Sequence, residues 1–189
     1  MTEKVMSAAA ITRHCFTVEE YHKMGEAGVF PEDDRVELID GEVVEMSLIG
    51  WRHARCVGRL TMALARLAGD RYVVGVQNPL TISEYGEPWP DLALHEEPPP
   101  GRLPAPEDVL LVVEVSDTTL ACDKDVKLPR YARAGIPEVW IVDLRGELVE
   151  VHAGLEDGRY GTVGKYGPEG DLRSGTLAEI SLPVRTVLG

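Results

Sequence analysis

The alternation of apolar and polar residues is clearest in RVELIDGEVVEMS, residues 35–47. Two β-prone runs flank Asp40-Gly41, and both turn residues tolerate positive φ, so the pattern predicts a hairpin from Arg35 to Ser47. The period changes in WRHARCVGRLTMALARLAGD, residues 51–70. Val57, Leu60, Leu64 and Leu67 recur at helical spacing while Arg52, Arg55, Arg59 and Arg66 lie mostly off that stripe, which predicts a helix with one buried and one basic face. Upstream, Thr17 and Glu20 have the spacing of a capping box, so a first helix is expected to start there and stop near Gly25–Gly28.

Two continuous apolar runs, VLLVVEV (109–115) and VWIVD (139–143), read as strands covered on both faces. Arg145-Gly146 turns the second back into ELVEVH. Shorter strands are expected at Tyr72–Val76, Leu80–Ser83 and Asp91–His95. The proline-rich EEPPPGRLPAP, residues 96–106, can form no regular element and reads as a surface loop. Val126, Leu128, Tyr131, Ala132 and Ala134 form a short helix with an early Pro129, ended by Gly135 and Pro137. The glycine-rich remainder, with the strand-like SLPVRTVL (181–188), reads as an appended β region. The order of elements predicts an α/β (α+β) fold, a mixed sheet with helices on its faces. No repeat or linker interrupts it, so a tail of residues 1–15 and a single domain over 16–189 are expected.

Composition narrows the class. A chain of 189 residues can bury one sizeable core, and 44% hydrophobic with 27% charged residues is ordinary for a globular protein. The longest apolar runs are strand-sized, so no membrane span is expected. MTEKVMSAAAITRHC lacks a basic segment followed by an apolar core, and Cys15, Cys56 and Cys122 form neither a disulfide framework nor a zinc knuckle. A cytoplasmic location is the expectation. The formal net charge of −13 argues against a non-specific polyanion binder but leaves room for a local basic groove or a metal-bridged phosphate site.

The candidate chemistry lies in Asp91, Glu114 and Lys127. Burying an unpaired carboxylate such as Glu114 costs several kcal/mol, on the order of a lost buried ion pair, or forces it to hold a proton. Two carboxylates at strand ends can instead hold Mg²⁺ or Mn²⁺ through hard oxygen ligands, which would keep Glu114 ionised. Metal and lysine then divide the work on a phosphodiester: activating water, neutralising phosphoryl oxygens and positioning the nucleophile. The spacing is loose. Taken singly, an Asp after Pro is a turn residue and a helical lysine a solvated one. His53 heads the arginine-rich helix, and His95 would share a strand face with Asp91, but no second histidine stands at ligand spacing. Cys122 reads as structural. Gln77 either lines the cleft or is a plain loop residue, and Tyr131, four residues after Lys127, would orient its ammonium. The helix arginines offer positive charge to a backbone or are solvated surface.

The stretches RVELIDGEVVEMS, RHARCVGRL, VGVQNPL, EPWPDLAL and VLLVVEVSDTTLACDKDVKLPRYARAGIPEVWIVD resemble the Uma2 family, restriction endonuclease-like proteins of the PD-(D/E)xK nuclease superfamily, from about Phe16 to the C-terminal strands. The resemblance implies a restriction endonuclease-like fold and a Mg²⁺- or Mn²⁺-dependent endonuclease acting on nucleic acid, DNA by expectation, as a homodimer. It implies that Asp91 and Glu114 bind the metal, that Lys127 acts on the protonation of the nucleophile, and that Glu37 adds an acidic group. The superfamily's lysine ordinarily stands two positions after the glutamate, where this chain has Ser116. A lysine migrated to the following helix is implied, with Lys124 a rival to Lys127. The alternative is a catalytically silent nuclease-fold module that binds a protein partner or another copy of itself.

Overall fold

The apolar runs assemble into a six-stranded mixed sheet of order β3-β4-β5-β6-β7-β8, comprising Val73–Val76 (β3), Leu92–His95 (β4), Val109–Ser116 (β5), Val139–Asp143 (β6), Leu148–Glu156 (β7) and Arg159–Tyr166 (β8). Only β5 and β6 are parallel. A parallel pair needs a crossover, and here it is a helical segment of two kinds: a π-helical stretch, Cys122–Lys127, running into helix α3, Leu128–Arg133. These features come from a computed structural model that describes residues 13–31 and 34–189. Most of the expected tail, residues 1–12, lies outside the described residues.

Both faces of β5 are covered, as its unbroken apolar run requires. Leu111, Val113 and Val115 join one core with helix α2, Trp51–Ala68, while Val112 joins a smaller one with Tyr131 and Ile136. The stripe of α2 is buried at Cys56, Val57, Leu60, Leu64 and Ala68, with its arginines outside or half-buried. Each fully buried leucine there contributes about 1.5–3 kcal/mol.

Helix α1, Val18–Glu26, begins at Thr17 with the reciprocal capping box. The hairpin forms as Val36–Ile39 (β1) and Glu42–Glu45 (β2), a two-stranded sheet of its own, with Asp40 at φ 51° and Gly41 at φ 80°. Positive φ at both central residues is the signature of a type I′ turn. A side chain at Gly41 would also run into Cys15, 2.6 Å from its Cβ.

Two expectations are corrected. Leu80–Ser83 is no ladder strand: Leu80 N–H donates to Pro88 and Ile82 N–H to Gly86, so the segment folds back on itself through the turn before Gly86. Its return arm meets the hairpin through a bridge between Glu87 and Leu38. The expected terminal strand SLPVRTVL divides into Ser181–Pro183 (β10), paired with Asp171–Arg173 (β9), and helix α4, Val184–Leu188. Pro183 has no N–H to continue a ladder, and a helical turn lets Val184 and Val187 both reach the core. Buried Glu138 ties this region to the sheet by accepting from Trp140 Nε1, Ser174 Oγ and Thr176 N.

Candidate active site

The antiparallel register Leu92↔Val113 continues to place Asp91 beside Glu114. The two carboxylates thereby line one cleft, Glu114 turned to the crossover segment at Lys127 and Tyr131, and Asp91 to His53, Gln77 and the Val115 amide. Pro90 starts this arrangement, since it can precede a strand but not extend a ladder. Glu37 comes from the hairpin, and Lys127 is the last π-helical residue. The four meet at one cleft of about 250 Å³.

The Lys127 ammonium is buried between two carboxylates, 3.0 Å from Glu37 Oε2 and 3.5 Å from Glu114 Oε1. The Tyr131 hydroxyl donates to Glu114 Oε1 at 2.6 Å, and the Trp89 amide donates to Glu37 Oε2 at 3.1 Å. Burial pushes the Glu114 carboxyl up to about 8; Lys127 pulls it back, while Asp123 and Asp91 add to the rise. Burial alone would depress the Lys127 ammonium, yet the fields of Glu114, Glu37 and Asp123 raise it above its ordinary value. Lys127 is therefore held as a cation, a donor and a charge rather than a base.

Asp91 accepts from three elements. Val115 N–H (2.8 Å) and His53 Nε2 (3.0 Å) reach Oδ2, and Gln77 Nε2 reaches Oδ1 at 3.2 Å. Gln77 has φ 50°, a left-handed conformation that side chains adopt at a cost of about 1–3 kcal/mol, and its N–H also donates to the Asp91 carbonyl. Gln77 is thus tied to Asp91 by both main chain and side chain, although it does not itself line the cleft.

The rival lysine is turned away. Lys124 pairs with Glu150 of β7 at 2.8 Å, on the other side of the crossover segment. Tyr131, expected to orient the ammonium, holds Glu114 instead. His95 takes no part: it sits at the far end of β4, beyond a bulge, and its Nδ1 bonds the Glu96 carbonyl. Cys122 lines the cleft, but burial raises its thiol, so it is a poor nucleophile. Sequence reasoning missed Asp123, a buried carboxylate whose Oδ2 accepts from Ser116 Oγ (2.7 Å) and Thr119 Oγ1 (2.6 Å). The one available signal was the four-residue spacing of Thr119 and Asp123 on a helical turn. Ser116 thereby anchors the segment that carries Lys127.

The residues present suit a hard divalent cation. Glu114 Oε2 accepts no hydrogen bond among the described residues, and Asp91 Oδ1 accepts only the long one from Gln77. The carbonyl of Val115 points to the same side as its N–H, beyond the start of β4. The cleft carries Glu37, Glu45, Asp91, Glu114, Asp117 and Asp123 against only Arg35 and Lys127 as fixed cations, a field that attracts cations. Among the described residues no three His, Cys, Asp or Glu side chains form a ready-made metal cluster. Asp91, Glu114 and the Val115 carbonyl would thus leave positions for water or a phosphate oxygen, as Mg²⁺ prefers.

The crystal structure of a protein described as "a putative nuclease belonging to DUF820" from Anabaena variabilis ATCC 29413 superposes with a TM-score of 0.71 at 14% identity, covering 92% of this chain and 97% of that one. At that identity the likeness concerns the fold. No curated protein matches the chain. A family model, Uma2, described as "Putative restriction endonuclease", matches residues 18–185, from the first helix to the last, and the chain belongs to that family.

Proposed function

We propose that this protein is a divalent-metal-dependent nuclease that hydrolyses phosphodiester bonds, with DNA as the substrate. The observation that carries the proposal is that Asp91, just before β4, and Glu114, on the neighbouring β5, line one cleft with the buried Lys127 ammonium. Asp91 and Glu114 would hold Mg²⁺ or Mn²⁺, which would supply a more acidic water and neutralise phosphate charge. Lys127 presents a permanent cation to the phosphoryl oxygens as negative charge grows on them, and Glu37 holds that ammonium in place. Tyr131 fixes Glu114 so that its second oxygen faces the cleft. The acidic lining keeps a bare polyanion out, so substrate entry and metal loading are coupled.

Plasmid and linear DNA incubated with Mg²⁺ or Mn²⁺, and with chelator, test this reading. Cleavage is expected only with metal and not in folded Asp91→Ala or Glu114→Ala. Cleavage that persists in both variants refutes the assignment.

A second reading has one observation in its favour. Leu48, 97% exposed, with Ile49 and Trp51 makes an apolar crest at the lip of the cleft. Such a crest suits a silent module that docks a protein partner or a second copy. It predicts metal-independent assembly and no cleavage under any metal condition.

A further inference from the structure

Two buried side-chain polar atoms lack a partner among the described residues, His53 Nδ1 and Trp89 Nε1, and both belong to residues lining the cleft. The histidine is the more informative. Its other ring nitrogen, Nε2, lies 3.0 Å from Asp91 Oδ2, on a ring that is only 15% exposed. A hydrogen on Nδ1 would be buried with nothing to accept it, at a cost comparable to any unpaired donor. The ring's hydrogen therefore sits on Nε2 and is donated to Asp91.

We infer that His53 is a positioning residue of the metal site, acting through that single Nε2–H bond to fix which Asp91 oxygen faces the cation. The inference rests on the reading of Asp91 as a metal ligand. Asp91 stands in a bend just before β4, where its carboxylate can rotate and exchange its two oxygens. Val115 N–H and His53 Nε2 together fill Oδ2, leaving Oδ1 with only the long bond from Gln77. Oδ1 is thus the oxygen offered to a cation. Val115 alone would leave one lone pair of Oδ2 open, and the two oxygens would compete. A histidine kept only for packing would have no need to meet a carboxylate with one nitrogen while leaving the other unpaired. Placement on the first turn of α2 makes the contact rigid, because the helix is packed along its whole buried stripe.

The geometry distinguishes between two substitutions of similar size. The amide nitrogen of a glutamine can reach the place of Nε2, whereas that of an asparagine reaches only the place of Nδ1. Mn²⁺ binding by calorimetry on the wild type, Asp91→Ala, His53→Ala, His53→Asn and His53→Gln reads this out, with thermal unfolding to confirm that each variant is folded. Loss of affinity on the order of 10–100-fold is expected for His53→Ala and His53→Asn, the usual effect of removing a partner behind a metal ligand, with affinity restored to within a few-fold in His53→Gln. Wild-type affinity in folded His53→Ala, or equal losses in the asparagine and glutamine variants, overturns the inference while Asp91→Ala still reports a metal ligand. No Mn²⁺ binding to the wild type, or binding unchanged in Asp91→Ala, overturns the metal-site reading and this inference together.

Discussion

Single side chains at this site answer for both stability and chemistry. Lys127 is the ammonium that both Glu37 and Glu114 face, so Lys127→Met leaves the two buried carboxyl groups without their cation. Breaking a buried pair in this way costs about 3–5 kcal/mol, which urea unfolding will register alongside the loss of cleavage. Glu150 behaves differently. Burial opposes its charge, but hydrogen bonds from Lys124 and Lys165 win and hold its carboxyl at about 2, below the ordinary 4.5. A depressed folded-state value means that the stabilisation is complete above about 4.5 and is lost as pH falls through about 2. Thermal unfolding followed from pH 5 to 2 should show a falling Tm, and Glu150→Gln should flatten that decline. The carboxylate pair was legible in the sequence because Glu114 interrupts an apolar run and Asp91 follows a proline. The contacts around it were not, because Tyr131 and His53 reach their carboxylates, and Lys124 turns away to Glu150, through the tertiary path of helices whose phase the sequence does not state.

Helical phase is also where the elements differ most from expectation. The hairpin, the capped first helix and the arginine-edged second helix have strong periodic or turn signals, and each forms within a residue or two of its expected limits. The crossover helix was expected around Val126–Ala134, yet helical turns start at Leu120 and include a π-helical stretch. Pro129 supplies the reason: it lacks an N–H and its ring would strike the carbonyl four residues back, so the turns before it widen. The wide turns let one segment satisfy two anchors at once, Asp123 on Ser116 and Lys127 on Glu37. Deleting the exposed Asp125 would tighten the stretch toward an α-helix and rotate one anchor by about 100° relative to the other. Cleavage should vanish in that variant and Tm should fall, while far-UV circular dichroism keeps the strand signal.

Across the whole molecule the carboxylates and the lysine depend on the centre of the sheet. Glu114 lies on β5, and the segment from Cys122 to Arg133 closes the parallel pairing of β5 with β6. Closing a parallel pair requires the whole intervening loop to be ordered first, so it is among the costlier steps of assembly. The edge strand β8 pairs on one side only, with β7, and its residues are largely exposed or half-buried. Amide hydrogen exchange should therefore divide the sheet: amides of β8 exchange through local fraying, and those of Val112–Val115 only through global unfolding. Exchange of the β5 amides at the rate of β8 would contradict this ordering. Because the β–helix–β crossover also carries Lys127, the site exists only once that crossover is in place. A chain caught part-way, with its hairpins formed and its central pair still open, would be structured by many measures and would hold no site at all.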